Sequence, residues 1–312
     1  MEMRESKTKP KEKTQADLNE QATRKLNRLM IESALNLAGK IGAEAVFIAA
    51  DACRDGVISD KQFKHPNIIL VTKDEKSIPE EIKKFAKHII KIPSVKLTRM
   101  GQVKMAVVMA LNAELVDQGN KIVCLTGVPE LGGLDTFVVL DIGREFEVIS
   151  SEDVKSLSEH VKPAIFEAVL NMAIELAHQG REGKSVGTTF VIGDVEAVLA
   201  HSRQLTINPF KGYSEEDRNV LEPQVRESIK GFSAIDGAFI IRDDGVVVTA
   251  GRHLNAAFEE GELPQGLGSR HASAAGITSV TNATAIVVSE STGDVRIFRK
   301  GKIFMTIEKT AM

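Results

Sequence analysis

The apolar positions of this chain follow two successive patterns. From residue 26 to residue 140, short aliphatic blocks alternate with helical spacing. Leu26, Leu29, Met30, Ala34, Leu37 and Ile41 recur every three or four residues, which predicts one face of an amphipathic helix. Glu44 to Ala49 then predicts a buried strand, closed by Asp51-Ala52-Cys53-Arg54-Asp55-Gly56. Further blocks follow at Ile68-Ile69-Leu70-Val71, Ile89-Ile90-Lys91-Ile92, Ile122-Val123-Cys124-Leu125 and Phe137-Val138-Val139-Leu140. Helical stretches at about 79–88 and 100–117 separate them. Strands alternating with helices predict a parallel, doubly wound α/β domain. Charge returns at Ser150-Ser151-Glu152-Asp153, read as a linker. The expected organisation is a disordered leader over 1–22, an α/β domain over 23–150 and a second domain over 151–312.

The second half is patterned differently. A long helix is predicted over about 157–179, with Val161, Ile165, Val169 and Met172 on one face, broken by Gly180-Arg181-Glu182-Gly183-Lys184. Thr188 to Ile192 predicts a strand, Asp194 an N-cap for the next helix, and 219–230 another helix. Strands then alternate with tight turns at Asp243-Asp244-Gly245, Ser291-Thr292-Gly293-Asp294 and Arg299-Lys300-Gly301-Lys302. This predicts an α+β domain on a mixed or mostly antiparallel sheet.

Composition narrows the function. Hydrophobic residues make up 43% of the 312 positions but aromatics only 4%, so the cores must be aliphatic. A net charge of −3 offers no basic field for duplex nucleic acid. No apolar run is long enough to span a bilayer, and the polar N-terminus has no signal core, so a soluble, cytoplasmic protein is expected. Two cysteines, Cys53 and Cys124, make neither a disulfide framework nor a metal motif, and both read as small buried hydrophobes.

The candidate chemistry lies near the C-terminus. Asp236-Gly237-Ala238 follows a predicted helix and opens a strand, so its carboxylate faces a strand edge, where it can ligate a cation or take a hydroxyl proton; Asp-Gly alone is equally a turn signal. Gly266-Leu267-Gly268-Ser269-Arg270-His271 leads from a loop into a small-residue helix. Ser269 is the expected N-cap, with Arg270 and His271 in the first turn, where exposed N–H groups and a forked guanidinium suit phosphate. Glu290, after the strand Ala285 to Val288, reads as a second metal ligand or as a polar turn residue. Arg252-His253 lacks the glycine loop and reads as surface. Gly127 and Gly132-Gly133 follow a strand and read as a ligand loop or as plain connection.

These motifs, with Arg181-Glu182-Gly183-Lys184-Ser185-Val186-Gly187 before them and Val288-Ser289-Glu290-Ser291-Thr292-Gly293 after, make the C-terminal half resemble the diadenylate cyclase domain family, archaeal type. The resemblance implies condensation of two ATP into cyclic di-AMP with release of two pyrophosphates, a divalent metal (Mn²⁺ or Mg²⁺), and a homo-oligomer whose active site forms between two face-to-face protomers. It implies metal and hydroxyl activation by Asp236 and phosphate holding by Ser269, Arg270 and His271. Gly237, Ala238, Leu254, Gly268 and Ser289 complete the nucleotide site, and Glu290 is a further metal ligand. The chain departs from the family at Ala272 and Ser291, where a second Arg and a second Glu are usual, and at Ile235, where bacterial members often have His. The alternative is a non-catalytic sensor of ATP or cyclic di-AMP. The N-terminal half is similar, more loosely, to the C-terminal domain of pyruvate kinases, through Lys121 to Gly127.

Overall fold

The structure is a computed structural model and describes residues 15–53, 67–78, 80–92, 94, 97–128, 132–142, 161–181, 183–256 and 266–309. In the N-terminal part, α1 (Gln15–Ile41) leads to β1 (Ala45–Ala49), β2 (Ile68–Thr72), α2 (Glu80–Lys83), β3 (His88–Lys91), α3 (Arg99–Asn112), β4 (Lys121–Val128) and β5 (Gly133–Asp141). The strands form one sheet in the order β3-β2-β1-β4-β5. β1 and β2 run parallel, with Val46 opposite Ile68 and Ala49 opposite Val71. Every residue of both is buried, which is why they read as unbroken apolar blocks rather than alternation. β4 and β5 are neighbours joined through residues 129–132, far too few for a parallel crossover, so β5 turns back along β4. The two backbones are close there: a Cβ on Gly127 would lie 2.0 Å from the Gly133 carbonyl oxygen.

α1 differs from its expected register. Its buried stripe is Asn27, Ile31, Ala34, Leu35 and Ala38, while Leu26 and Leu29 are about half exposed. The stripe has helical spacing but contains a polar member, and counting apolar residues alone shifts the face. Asn27 belongs there because its amide ties three segments together. Its Oδ1 accepts from the Leu134 N–H at 2.6 Å, and its Nδ2 donates to the carbonyls of Ala52 at 3.2 Å and Gly132 at 3.5 Å. Residues 15–22, expected in the leader, form the first turns of α1. Residues 1–14 and the expected linker at 150–153 lie outside the described residues. The helix expected over 79–88 is the single turn α2, because β3 already begins at His88. Cys53 and Cys124 are buried and free, and burial pushes the Cys53 thiol up to about 12 and that of Cys124 higher still.

The C-terminal part runs α4 (Pro163–Gln179), β6 (Thr188–Ile192), α5 (Val195–Ala200), β7 (Ser202–Gln204), α6 (Pro223–Phe232), β8 (Ala238–Ile241), β9 (Val247–Leu254), α7 (Ser269–Val280), β10 (Thr284–Val288), β11 (Val295–Arg299) and β12 (Lys302–Ile307). Its seven strands are ordered β12-β11-β10-β6-β8-β9-β7. β6 and β8 pair parallel, while β10 with β6, β10 with β11, β11 with β12, β8 with β9 and β7 with β9 pair antiparallel. The sheet is therefore mixed, as expected. α7 covers one face through Ala274, Ala275 and Ile277, packed with Val191, Ala238, Ile240, Leu254 and Val287. The three predicted turns are where they were expected. One capping expectation and one helix boundary differ. Asp194 adopts a left-handed conformation, with φ +42°, and its carboxylate accepts from the Asn282 N–H at 2.8 Å instead of capping α5. α6 starts at Pro223 rather than residue 219, because Asn219 is held in a loop. There its Nδ2 donates to the Asp244 carbonyl and its Oδ1 accepts from the Leu221 N–H. Among the described residues, no helix is long and apolar enough to cross a membrane.

Asn27→Ala should lower the unfolding free energy by about 1–3 kcal/mol, since it leaves a buried N–H without an acceptor. Urea unfolding followed by circular dichroism measures this. Asn27→Asp should do no better, because the two carbonyls then face a group that cannot donate.

Candidate active site

The parallel pairing of β6 with β8 decides where the candidate residues meet. Both strands start at the same sheet edge, with Thr189 opposite Ala238. β10 runs against β6 and ends there, with Val288 opposite Thr188, and β9 runs against β8, with Arg252 opposite Ala238. Gly187, Asp236, Leu254 and Ser289-Glu290 therefore lie at one end of four adjacent strands. At roughly 4.8 Å per strand, Asp236 and Glu290 stand on strands about 10 Å apart.

α7 brings the glycine loop to this edge. Gly268, not Ser269, is the N-cap; Ser269 is already helical, and no side chain caps the first turn. That leaves the leading N–H groups open to a ligand. Gly268, Ser269, Arg270 and His271 line a cleft of about 460 Å³ with Ser185, Val288, Ser289, Glu290 and Ser291. Arg270 Nη1 donates to Glu290 Oε2 at 3.0 Å across it, and both side chains are substantially exposed. Gly187 makes room for this pair: a Cβ there would lie 2.5 Å from Arg270 Nη1 and 2.8 Å from the Glu290 Cβ. Gly187 is a site residue that the sequence reading placed in a motif but not in the site.

His271 is a different kind of group from Arg270. It is only 6% exposed and packs on Phe298, with ring centroids 6.0 Å apart. Burial first, then the charges of Arg296 and Arg270, push its pKa down to about 4, against an opposing pull from Asp294. It is therefore neutral near pH 7, not the second cation its place beside Arg270 suggests. Nε2 lies 3.2 Å from Arg296 Nη1, whereas Nδ1 is buried with no partner. Arg296 in turn donates from Nη2 to Asp294 at 2.9 Å. In the sequence Asp294 reads only as the end of a tight turn and Arg296 carries no motif, its only local signal being a charge inside the apolar strand β11.

Asp236 stands apart from the cleft lining. It is exposed, and its Oδ1 accepts from the Gly237 N–H at 3.0 Å. Gly237 has φ +99°, and a Cβ there would come within 2.7 Å of the Arg252 nitrogen, so only glycine brings this carboxylate so close to β9. Ala238 and Leu254 are buried in the sheet–α7 core, beneath the surface of the same edge. Arg252, expected at the surface, is a staple. It donates to the Ser202 hydroxyl at 2.8 Å, to the Ser202 carbonyl at 2.7 Å and to the Leu199 carbonyl at 3.1 Å; His253 is exposed. Gly127 sits in close strand pairing, and its loop continues into residues 129–131, outside the described residues. Among the described residues, no three His, Cys, Asp or Glu side chains cluster as a preformed metal site.

The His271 shift sets a pH dependence. Its folded value is depressed, so below its ordinary value of 6.5 the unfolded chain takes a proton that the folded chain refuses. Stability should fall as pH drops from 6.5 towards 4, by about 1–2 kcal/mol at pH 5. Urea midpoints at pH 7 and pH 5 test this; in His271→Asn the difference between the two pH values should shrink by that amount.

Two family models match the chain. One, described as DAC, DisA bacterial checkpoint controller nucleotide-binding, covers residues 175–303, and the other, described as probable sensor domain DacZ_P, covers residues 26–148. The chain is 38% identical over 206 residues to a diadenylate cyclase of Methanocaldococcus jannaschii, a match covering 66% of this chain and 65% of that protein. It is 36% identical over 210 residues to a diadenylate cyclase of Haloferax volcanii, covering 67% and 76%. A solved structure of DacA from Staphylococcus aureus is similar at 21% identity and a TM-score of 0.35, covering 46% of this chain and 87% of that one. The match that reaches across three quarters of the Haloferax volcanii protein shows that the chain belongs to the diadenylate cyclase family.

Proposed function

We propose that this chain condenses two ATP molecules into cyclic di-AMP and two pyrophosphates, one nucleotide being held by each of two protomers that meet face to face. The observation that carries the reading is the single cleft shared by the Gly268–His271 turn and the Ser289–Glu290 strand end, two motifs nearly twenty residues apart in sequence. Arg270 is the cation for the triphosphate, held at the helix start with open N–H groups beside it. Asp236 takes the proton of the attacking 3′-hydroxyl from its strand-edge position, with Gly237 and Ala238 lying under the nucleotide and Leu254 supporting the base side. The limit 150/151 separates the N-terminal and cyclase parts, and the spans of the two family matches support it, whereas α1 runs straight through the limit expected at 22/23.

The donor set fits a hard divalent ion, Mg²⁺ or Mn²⁺. Asp236 has a free carboxylate oxygen and Glu290 is exposed, and such ions take one or two carboxylates plus substrate phosphates rather than a full protein cage. Asp236 and Glu290 would hold it, and the bound ion offsets the charge that builds on the phosphate oxygens. Glu290 is free to do so only once Arg270 turns from it to phosphate. A cytoplasmic location agrees with an ATP substrate.

Asp236→Asn should keep the fold and lower turnover at least a hundredfold, a loss of about 2.7–4 kcal/mol of transition-state stabilisation. Chromatography of cyclic di-AMP after incubation with ATP and Mg²⁺ or Mn²⁺ measures it. A wild-type protein that binds ATP but makes no product under any metal would instead support a non-catalytic sensor, a reading the departures at Ala272 and Ser291 favour.

Because each protomer supplies one nucleotide, specific activity should rise with enzyme concentration until the assembly saturates. A dilution series read alongside sizing chromatography checks this. Flat specific activity with only monomer present would exclude the two-protomer arrangement.

A further inference from the structure

We propose that Arg296 is a positioning residue for His271, fixing the ring's only proton on Nδ1 so that it can donate to a phosphate oxygen of the nucleotide in the cleft. The phosphate part rests on the cyclase reading, whereas the proton assignment does not. A guanidinium can only donate, so the 3.2 Å contact makes Nε2 of His271 the acceptor. A neutral ring then carries its proton on Nδ1, the atom that is buried without a partner. A doubly protonated ring would face Arg296 from β11 and Arg270 from its own helix, with Asp294 alone to offset them.

Arg296 is itself held in place. Its Nη2 bonds Asp294 Oδ2, which also accepts from the Thr292 hydroxyl at 2.7 Å, while Asp294 Oδ1 accepts from the Lys309 N–H at 3.2 Å. The Arg296 and Asp294 side chains are about 15% exposed, and neither residue lines the cleft, so Arg296 acts through the ring it fixes. The ring is clamped between Arg296 and Phe298, both on β11, and its own backbone N–H bonds the Gly268 carbonyl at 3.0 Å. A fixed, neutral donor beside an exposed cation suits recognition of a triphosphate whose charge the metal and Arg270 already balance.

Nitrogen NMR of the full chain with labelled histidine, assigned through His271→Asn, tests this. Without nucleotide, wild type should show a protonated Nδ1 and a bare Nε2. Arg296→Met should mix in the Nε2–H form, and Arg296→Lys, which keeps a charged donor, should not. On adding Mg²⁺ and a non-hydrolysable ATP analogue the Nδ1 signal should shift, and Arg296→Met should bind the analogue about tenfold more weakly, the effect of one hydrogen bond. A structural role alone would leave the proton assignment unchanged in both variants. Should Arg296→Met not fold, Arg296→Gln, whose amide can accept as well as donate, should likewise mix in the Nε2–H form. Protonation on Nε2 in wild type, or an unaltered ring in folded Arg296→Met, overturns the proposal, as does analogue binding that leaves Nδ1 unmoved. A wild type that binds no analogue counts against the cyclase reading and removes the phosphate from the proposal, while the ring signals still decide the role of Arg296.

Discussion

One parallel pair in an otherwise antiparallel set of pairings holds this site together. Because β6 runs alongside β8, the two strands start at the same edge, and their antiparallel neighbours β10 and β9 end there. Residues between 187 and 290 in sequence thus reach one strip of surface. If β8 were reversed, Asp236 would move to the opposite end of the sheet, at least a strand's length from Glu290. The glycines follow from the same crowding: Gly187 leaves room for Arg270 and Glu290, and Gly237 lets the chain pass β9.

Two charges of the cleft, Arg270 and Glu290, satisfy one another. An exposed pair such as Arg270 with Glu290 is worth at most about 1 kcal/mol, so it orients the guanidinium across the cleft without locking it there. The contacts of His271 are of the other kind, buried and fixed by Arg296 and Phe298. An exposed, replaceable partner lies beside a sequestered, permanent one on consecutive residues of a single helical turn. Helix geometry accounts for this: Arg270 and His271 point about 100° apart, one to the cleft mouth and one towards β11.

Much of this was legible in the sequence, for reasons that differ by residue. β1, β2, β6 and β10 are short, unbroken buried blocks, a pattern that can be read without knowing the tertiary context. The turns around Gly245, Gly293 and Gly301 were legible because all three glycines have positive φ, which their sequence context requests. Asn27 was not, since a buried amide looks like a surface residue until its three partners converge from positions 52, 132 and 134. Asp194 misled for a similar reason: its carboxylate serves Asn282, 88 residues away, over its own helix. The neutrality of His271 was hidden because it depends on burial and on Arg296, which lies 25 positions further along.

The placement of the two cysteines has a practical consequence. Cys53 follows β1 and Cys124 lies in β4, both buried with thiols held far from ionisation, while the C-terminal half contains none. Thiolate is the reactive form, so the folded chain is close to inert towards maleimides and disulfide reagents. A cysteine introduced anywhere on the exposed strip around the cleft would become the single labelling point of the native chain. Dyes or spin labels placed there could then report on the cleft, with the natural cysteines left in place as silent markers of an intact N-terminal sheet.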